Sequence, residues 1–445
     1  MKKVLAAILA SVMAISMAAC ASGPAQTTSS KGSEASSQGG QGGEEKNLSG
    51  TVVYWSMWQE TEPQADILKN AIAEFETANS GVKVEVEWQG RGVRDLVAPA
   101  IASGQQVDLF DSDPLVFYRS DPSILLDLSD FYTSEGQNGK PESENLLKGL
   151  VDWDKSMSAE YADGGYHSVP YAPYTMSWYY NTEMFKDAGI TELPETWEEL
   201  DAVCAKLKEA GYEPIVVDDA YYNMVFCMYL AREMGPQAVK DMVAEGGDAF
   251  NNPAILNTLK AIEDFAKKGY FAKSCKTNKY PAGQQQFARK EAAMYYNASF
   301  MASENAETAG DNFPYGHFPF TTVPGGKGLI TENTVGGQAF CVSAKTENKD
   351  AVYELLHYFV GNKCQTEFNA KGLVPCTNDV AWPAAVAQQK EIVNSLTANV
   401  DWAAGWGGDF CEGVGNPEII KVMFGETTAQ QAFDKIVEEA KNFKK

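Results

Sequence analysis

Thr51-Val52-Val53-Tyr54-Trp55 opens the folded part of this 445-residue chain, and the stretch that follows it decides the fold. Five residues of β-branched and aromatic type in a row read as a buried strand. Between Pro63 and Ala78, Leu68, Ala71, Ile72 and Phe75 recur at helical spacing, which predicts a helix with one buried face. Val82, Val84, Val86 and Trp88 then alternate with Lys83, Glu85 and Glu87, the period of a strand with one face in solvent. A second helix carries Leu96, Val97, Ala100 and Ile101 and stops at Gly104. Val107-Asp108-Leu109-Phe110 is a short buried strand. Strand, helix, strand, helix, strand is the order of an α/β layered domain with a largely parallel sheet.

The later chain repeats the class without repeating the sequence. Thr196-Trp197-Glu198-Glu199, just after Pro194, is a capping box whose helix Gly211 ends. Pro214-Ile215-Val216-Val217 is strand-like. Asp350 to Val360 reads as a helix with Val352, Leu355, Leu356 and Phe359 on one face. A second capping box, Thr427-Thr428-Ala429-Gln430, starts a last helix expected to bury Phe433, Ile436, Val437 and Ala440.

The chain before this body has a different character. Lys2 and Lys3, an apolar run from Val4 to Ala14 and small residues ending at Ala18-Ala19-Cys20 are the three parts of an export signal over 1–19. The apolar run is short of the roughly 20 residues that span a bilayer. Residues 20–48 begin with Cys20, and from Ala21 to Lys46 the chain is mostly Gly, Ser, Gln, Ala and Thr, with no aromatic and no aliphatic residue beyond alanine. Such a segment cannot bury enough apolar surface to offset its ordering entropy and is expected to be a disordered tether. At coil dimensions it reaches about 25–30 Å.

With 36 basic against 60 acidic residues the formal charge is −24, which argues against a nucleic-acid partner. Of eight cysteines, the seven besides Cys20 are scattered and form no C-x-x-C pair, so neither a zinc site nor a dense disulfide framework is expected. A single bridge, such as Cys364 to Cys376, stays open. His167, His317 and His357 are isolated and read as structural. There is no H-E-x-x-H, G-x-S-x-G, phosphate loop or dinucleotide fingerprint, and no metal or cofactor is expected.

Met17-Ala18-Ala19-Cys20 resembles the lipobox of bacterial lipoproteins, with methionine in the usual leucine place. The resemblance implies a diacylglyceryl group on the Cys20 thiol. Tyr179-Tyr180-Asn181-Thr182-Glu183-Met184-Phe185-Lys186-Asp187-Ala188-Gly189-Ile190, followed by Pro194-Glu195-Thr196-Trp197-Glu198-Glu199-Leu200, resembles the sugar-binding proteins of bacterial ABC importers, the maltose-binding protein class. Lys290-Glu291-Ala292-Ala293-Met294-Tyr295-Tyr296-Asn297-Ala298-Ser299-Phe300 is similar to another segment of that class, with Phe300 for its tryptophan. Gly336-Gly337-Gln338-Ala339-Phe340 with Val342-Ser343 is similar to a third.

That resemblance implies a two-lobed, periplasmic-binding-protein-like (type II) α/β fold whose lobes close on ligand about a hinge of three crossings. By order along the chain, lobe 1 takes 49–172 and 320–362, and lobe 2 takes 173–319 and 363–445. Pro170-Tyr171-Ala172-Pro173 looks like the first crossing. It further implies a monomer that delivers a sugar, expected to be an oligosaccharide, to the permease subunits of an ABC importer. The lipid would hold it at the extracellular face of the cytoplasmic membrane.

Sugars need aromatic faces for their C–H sides and carboxylates, amides or guanidinium groups for their hydroxyls. Trp58 and Glu60 lie in the loop after the first strand, and Asp113 follows the strand at 107–110, where capping is its alternative role. Arg91 starts a helix, in reach of a pocket or simply solvated. Asp218, Asp219, Tyr221 and Tyr222 end a strand, and one carboxylate with one ring of this set, Asp219 with Tyr221, is a candidate pair; Tyr174, Asn297 with Phe300, and Gly337 with Gln338 come from the segments of resemblance and their neighbours. Trp402 and Trp406 stand among glycines in Asp401-Trp402-Ala403-Ala404-Gly405-Trp406, and Trp402 is the favoured ligand ring. Trp153, Tyr161 and Trp178 are assigned to core or lobe packing.

A binding protein rather than an enzyme is the expectation. Its rival is a glycosidase using Asp113 and Asp219 across the cleft as paired carboxylates. A sugar phosphate or a polyamine is the alternative ligand class.

Overall fold

The computed structural model describes residues 48–310 and 312–443. The export signal, Cys20 and nearly all of the expected tether lie outside these residues. The expected opening unit forms: β1 (Gly50–Ser56) pairs in parallel with β2 (Val82–Trp88) and with β3 (Leu109–Ser112). The helix Pro63–Ala78 buries Leu68, Ala71, Ile72 and Phe75 as their spacing predicts. In the helix Val93–Ala102, Leu96 points to solvent instead, and Val93 joins Val97, Ala100 and Ile101 inside. β3 starts at Leu109, and just before it Asp108 bonds Val53 twice: its carboxylate accepts from Val53 N and its N donates to Val53 O, each at 2.9 Å.

β4 (Val169–Asn181) organises the rest. Its first half pairs antiparallel with β9 (Val335–Val342) through Thr175, and β9 also pairs antiparallel with β3. From Met176 onward β4 pairs with β6 (Ala292–Ala298), while β7 (Tyr315–Phe318) takes its other edge. β5 (Glu213–Ile215) adds in parallel to β6. The strand order β2-β1-β3-β9-β4-β6-β5 is therefore mixed, and one thirteen-residue strand serves two lobes.

Two more crossings lie at the level of Thr175–Met176. β8 (Glu332–Asn333) pairs with β10 (Ala398–Asn399). Met176 N donates to Thr334 O at 3.1 Å, Asn333 Nδ2 donates to Met176 O at 2.7 Å, and Val400 N donates to Asn333 O at 2.9 Å. The prolines expected to mark the first crossing sit earlier, inside the β4–β9 ladder. The register shifts there between Pro170 and Ala172. Proline has no N–H for a ladder, and an irregularity is where a strand tolerates it.

Several contacts lie at the expected lobe bounds. The helix Asn362–Ala370 lies on Pro63–Ala78 and Leu147 N donates to Cys376 O at 2.9 Å, so the chain just past 362 stays with β1–β3. Phe320 stacks on Trp178 and Trp197 and goes with β6 and β7. Thr196 and Glu199 form the first capping box as expected, whereas the second is one residue later, Thr428 with Gln431. In that last helix Ala432 and Ile436 are buried and Phe433 and Val437 only half-buried. All seven described cysteines are buried and free, Cys364 and Cys376 included.

Candidate functional site

A cavity of about 590 Å³ opens between the lobes, with the three crossings as its floor. Glu332, Thr334, Val335 and Asn399 belong to that floor, and Tyr174 stands on it from β4. Gly336 lies opposite Tyr174 in the β4–β9 ladder, and a Cβ there would meet the Tyr174 ring at 2.5 Å. The glycine lets the ring lie against the strand. From the first lobe come Asp113 and the helix Lys148–Tyr161, which presents Trp153, Met157, Glu160 and Tyr161. From the second come Gln237 and Lys240 of the helix Pro236–Glu245, then Asp401 and Trp402.

The rings are arranged edge to face. Tyr174 meets Trp402 at 5.8 Å and 87° and Phe300 at 6.1 Å and 70°, geometries that the ring quadrupoles favour. Trp402 is 41% exposed, a large apolar face left open at a cavity wall. Its turn is unusual: Ala403 and Ala404 both have positive φ, 49° and 55°, a conformation costly for residues with a Cβ. Such strain persists only where the surroundings hold it.

The charges are uneven. Lys240 Nζ lies 2.6 Å from Glu160 Oε2 and 3.1 Å from Asp401 Oδ2. Burial works against the ammonium, but the two carboxylates outweigh it and hold the Lys240 pKa above its ordinary value. Asp113 accepts from Leu115 N at 3.0 Å, so the capping role weighed for it is real, and it lines the cavity as well. Burial raises its pKa. Burial, with the charges of Asp113 and Asp401, likewise raises that of the Tyr174 phenol.

On the far side of Tyr174 a smaller cavity of about 130 Å³ is lined by Trp58, Phe300, Ser303, Gln338 and Phe368. Gln338 Oε1 is buried there without a hydrogen-bond partner among the described residues. Trp58 is pinned: Nε1 donates to Tyr171 Oη at 2.5 Å, and Tyr171 donates onward to Asp111. Asp111 is fully buried, which pushes its pKa up to about 6 against the opposing hydrogen bonds from Tyr171, Met57 N and Tyr54. The Arg91 guanidinium lies 4.7 Å over the Trp58 ring.

Of the residues picked from sequence, Asp113, Tyr174 and Trp402 meet in the large cavity and Trp58, Tyr174, Phe300 and Gln338 in the small one. The others are placed elsewhere. Arg91 is held by Glu62 through two bonds of 2.8 Å and by Met57 O, so it braces Trp58 rather than facing the cleft. Glu60 is exposed and pairs with Lys69. Asp219 pairs with Lys279 at 2.9 Å and is not among the residues that line the large cavity with Asp113. Asp218 is buried, accepting from Gly283 N, Gln284 N and Tyr295.

Tyr221 is buried behind Trp402, 6.3 Å from it. Asn297 is buried within β6, and Gly337 is packed on Pro173. Trp406 is core: 2% exposed, Nε1 donating to Asn416, ring against Phe226 and Phe250. Trp153 and Tyr161, assigned to packing, line the large cavity, and Lys240, Glu160, Glu332 and Asp401 were not singled out at all. Only Asp401, beside Trp402, carried a local signal.

The bacterial extracellular solute-binding protein family matches residues 58–366. The sn-glycerol-3-phosphate-binding periplasmic protein UgpB of Brucella abortus (strain 2308) is 30% identical over 209 residues, 42% of this chain and 47% of that protein. The chain thus spans about half the length of the curated relatives it matches. Among solved structures, a chitin oligosaccharide binding protein aligns with a TM-score of 0.63 and 20% identity, over 89% of this chain and all of the other. RafE of Streptococcus pneumoniae, in its apo form, aligns at 0.68 and 17%, over 88% and 97%, and its raffinose complex also matches.

Proposed function

The chain belongs to the bacterial extracellular solute-binding proteins, and we propose that it captures a carbohydrate between its lobes for an ABC importer. The observation that carries this reading is the interlobe cavity of about 590 Å³, where Tyr174 and Trp402 offer ring faces beside carboxylate acceptors. A sugar presents C–H faces and hydroxyl donors, and both needs are met at one place. The unpartnered Gln338 Oε1 supplies a further acceptor next door. An oligosaccharide suits two cavities sharing one wall at Tyr174.

Its role is capture without turnover. We assign lobe 1 to about 48–175 with the chain from 335 to 380, and lobe 2 to about 176–333 with the chain from 400; the partner change along β4 and the packing of the helix Asn362–Ala370 support this division. Among the described residues no helix is long and apolar enough to cross a membrane. Met17-Ala18-Ala19-Cys20 supports lipid attachment at Cys20 and anchoring outside the cytoplasmic membrane, and a multi-chain lipid holds where a single acyl chain dissociates. Labelled fatty acid should enter the wild-type protein and not Cys20→Ala.

The carbohydrate reading is tested by a thermal-shift screen over mono- and oligosaccharides. A ligand that binds only the native state raises the melting temperature with its concentration. No shift with any carbohydrate, or turnover of one, would overturn the reading.

A further inference from the structure

We propose that the interlobe cavity takes a carbohydrate carrying a basic nitrogen, an amino sugar, and turns away phosphorylated and carboxylated ones. This rests on the carbohydrate reading and narrows it.

The cavity wall brings together four carboxylates, Asp113, Glu160, Glu332 and Asp401, and one cation, Lys240. That cation is spent. Its ammonium is held at 2.6 Å by Glu160 and at 3.1 Å by Asp401. Asp113 and Glu332 have no ion-pair partner among the described residues; Asp113 accepts from Leu115 N, and Glu332 from Leu329 N at 2.9 Å. Arg94 and Arg119 act on Asp113, and Arg232 on Glu332, only from outside the lining; a phosphate or carboxylate entering here would meet the carboxylates first, with no arginine on the wall to receive it.

A ligand ammonium has the opposite standing. It would answer the charge that Asp113 carries against its burial, a cost already visible in the raised pKa of that group. The open 41% of Trp402 and the adjoining Tyr174 offer π faces to a cation. These rings are the feature that separates the cavity from an ordinary acidic surface: they bind the sugar ring and the ammonium with the same faces. The formal charge of −24 adds a long-range field that draws cations toward the molecule. The sn-glycerol 3-phosphate named for a relative is therefore the wrong charge for this wall.

Calorimetry on the purified protein with matched pairs decides the matter. Glucosamine, galactosamine, mannosamine and short β-1,4-glucosamine oligomers are each compared with the hydroxyl counterpart of the same length. The comparison is made at about pH 5.5, a unit or more below where the amines of amino sugars and their oligomers lose their charge. Glycerol 3-phosphate, glucose 6-phosphate and spermidine complete the set. The amino member of at least one pair should bind about tenfold tighter than its counterpart. The advantage should disappear in Asp113→Asn and shrink in Glu332→Gln, and neither phosphate should bind. Equal or tighter binding of the neutral sugar, or binding of a phosphate, overturns this inference and leaves the carbohydrate reading standing. Binding of spermidine with no carbohydrate, or no binding at all, overturns both.

Discussion

Lys240 and Glu160 face each other across the cleft with 2.6 Å between Nζ and Oε2, one from each lobe. Glu160 is near the end of the helix Lys148–Tyr161, packed on β9 and the adjoining part of β4, and Lys240 sits on the helix Pro236–Glu245, packed on Met224–Met234. Asp401 holds the ammonium from behind at 3.1 Å, and Gly405 gives room for its stem, since a Cβ there would meet Lys240 Cγ at 2.7 Å.

Removing that contact should loosen closure. Glu160→Gln deletes only the interlobe partner and leaves Lys240 with Asp401. Lys240→Met leaves two carboxylates opposed. Exposed pairs are worth about 0–1 kcal/mol, and this one is half-exposed, so the effect falls on the open–closed balance rather than on folding. Small-angle scattering should show a larger radius of gyration for unliganded Lys240→Met than for wild type, with Glu160→Gln between them. An identical radius in all three would mean that the pair does not set the lobe angle.

The Asp111 network gives a pH signature. A carboxyl whose folded pKa is about 6, above its ordinary value near 3.8, binds protons more readily folded than unfolded. Its share of stability is therefore full below about pH 4 and is lost as pH rises through about 6. Across that window Asp111→Asn should lose this dependence, a difference on the order of 2 kcal/mol by linkage. Thermal melts of both proteins from pH 4 to 7 measure it; parallel curves would refute it. Because Asp111 holds Tyr171, which holds Trp58, the variant should also weaken ligands that touch Trp58.

What the sequence made legible follows the range of the forces involved. β1, β2 and the helix Pro63–Ala78 were readable because burial prints a period on neighbouring residues. The Thr196 capping box was readable for the same reason, all its atoms lying within one turn. The crossing at Thr175–Met176 was not, since nothing in β4 says where β9 stops and β6 begins as its partner. Arg91 looked like a ligand group until the fold brought Glu62 against it. Lys240 lies on an ordinary amphipathic helix, and only the fold shows that it meets Glu160. The sequence favours Trp402 over Trp406 as the ligand ring, but that Trp406 is core shows only in the packing, where Phe226 and Phe250 close on it.

Those two tryptophans give the sharpest test of the site. Trp402 is 41% exposed at the cavity wall, and Trp406 is 2% exposed between Phe226 and Phe250. A ring that meets ligand with part of one face loses about 1–3 kcal/mol of binding when cut to alanine, roughly ten- to hundredfold in affinity. Little folding stability should go with it, since most of its neighbours on the cavity side are solvent. Trp406→Ala instead opens a void in the second lobe and orphans the Asn416 carbonyl that its Nε1 now donates to, for a cost of about 3–5 kcal/mol in stability. Calorimetry and thermal melts on both variants should therefore give opposite patterns: affinity falls with the fold intact for Trp402→Ala, and the melting temperature falls for Trp406→Ala. Unchanged affinity in Trp402→Ala would remove this ring from the site, and with it the π face that the cation argument uses.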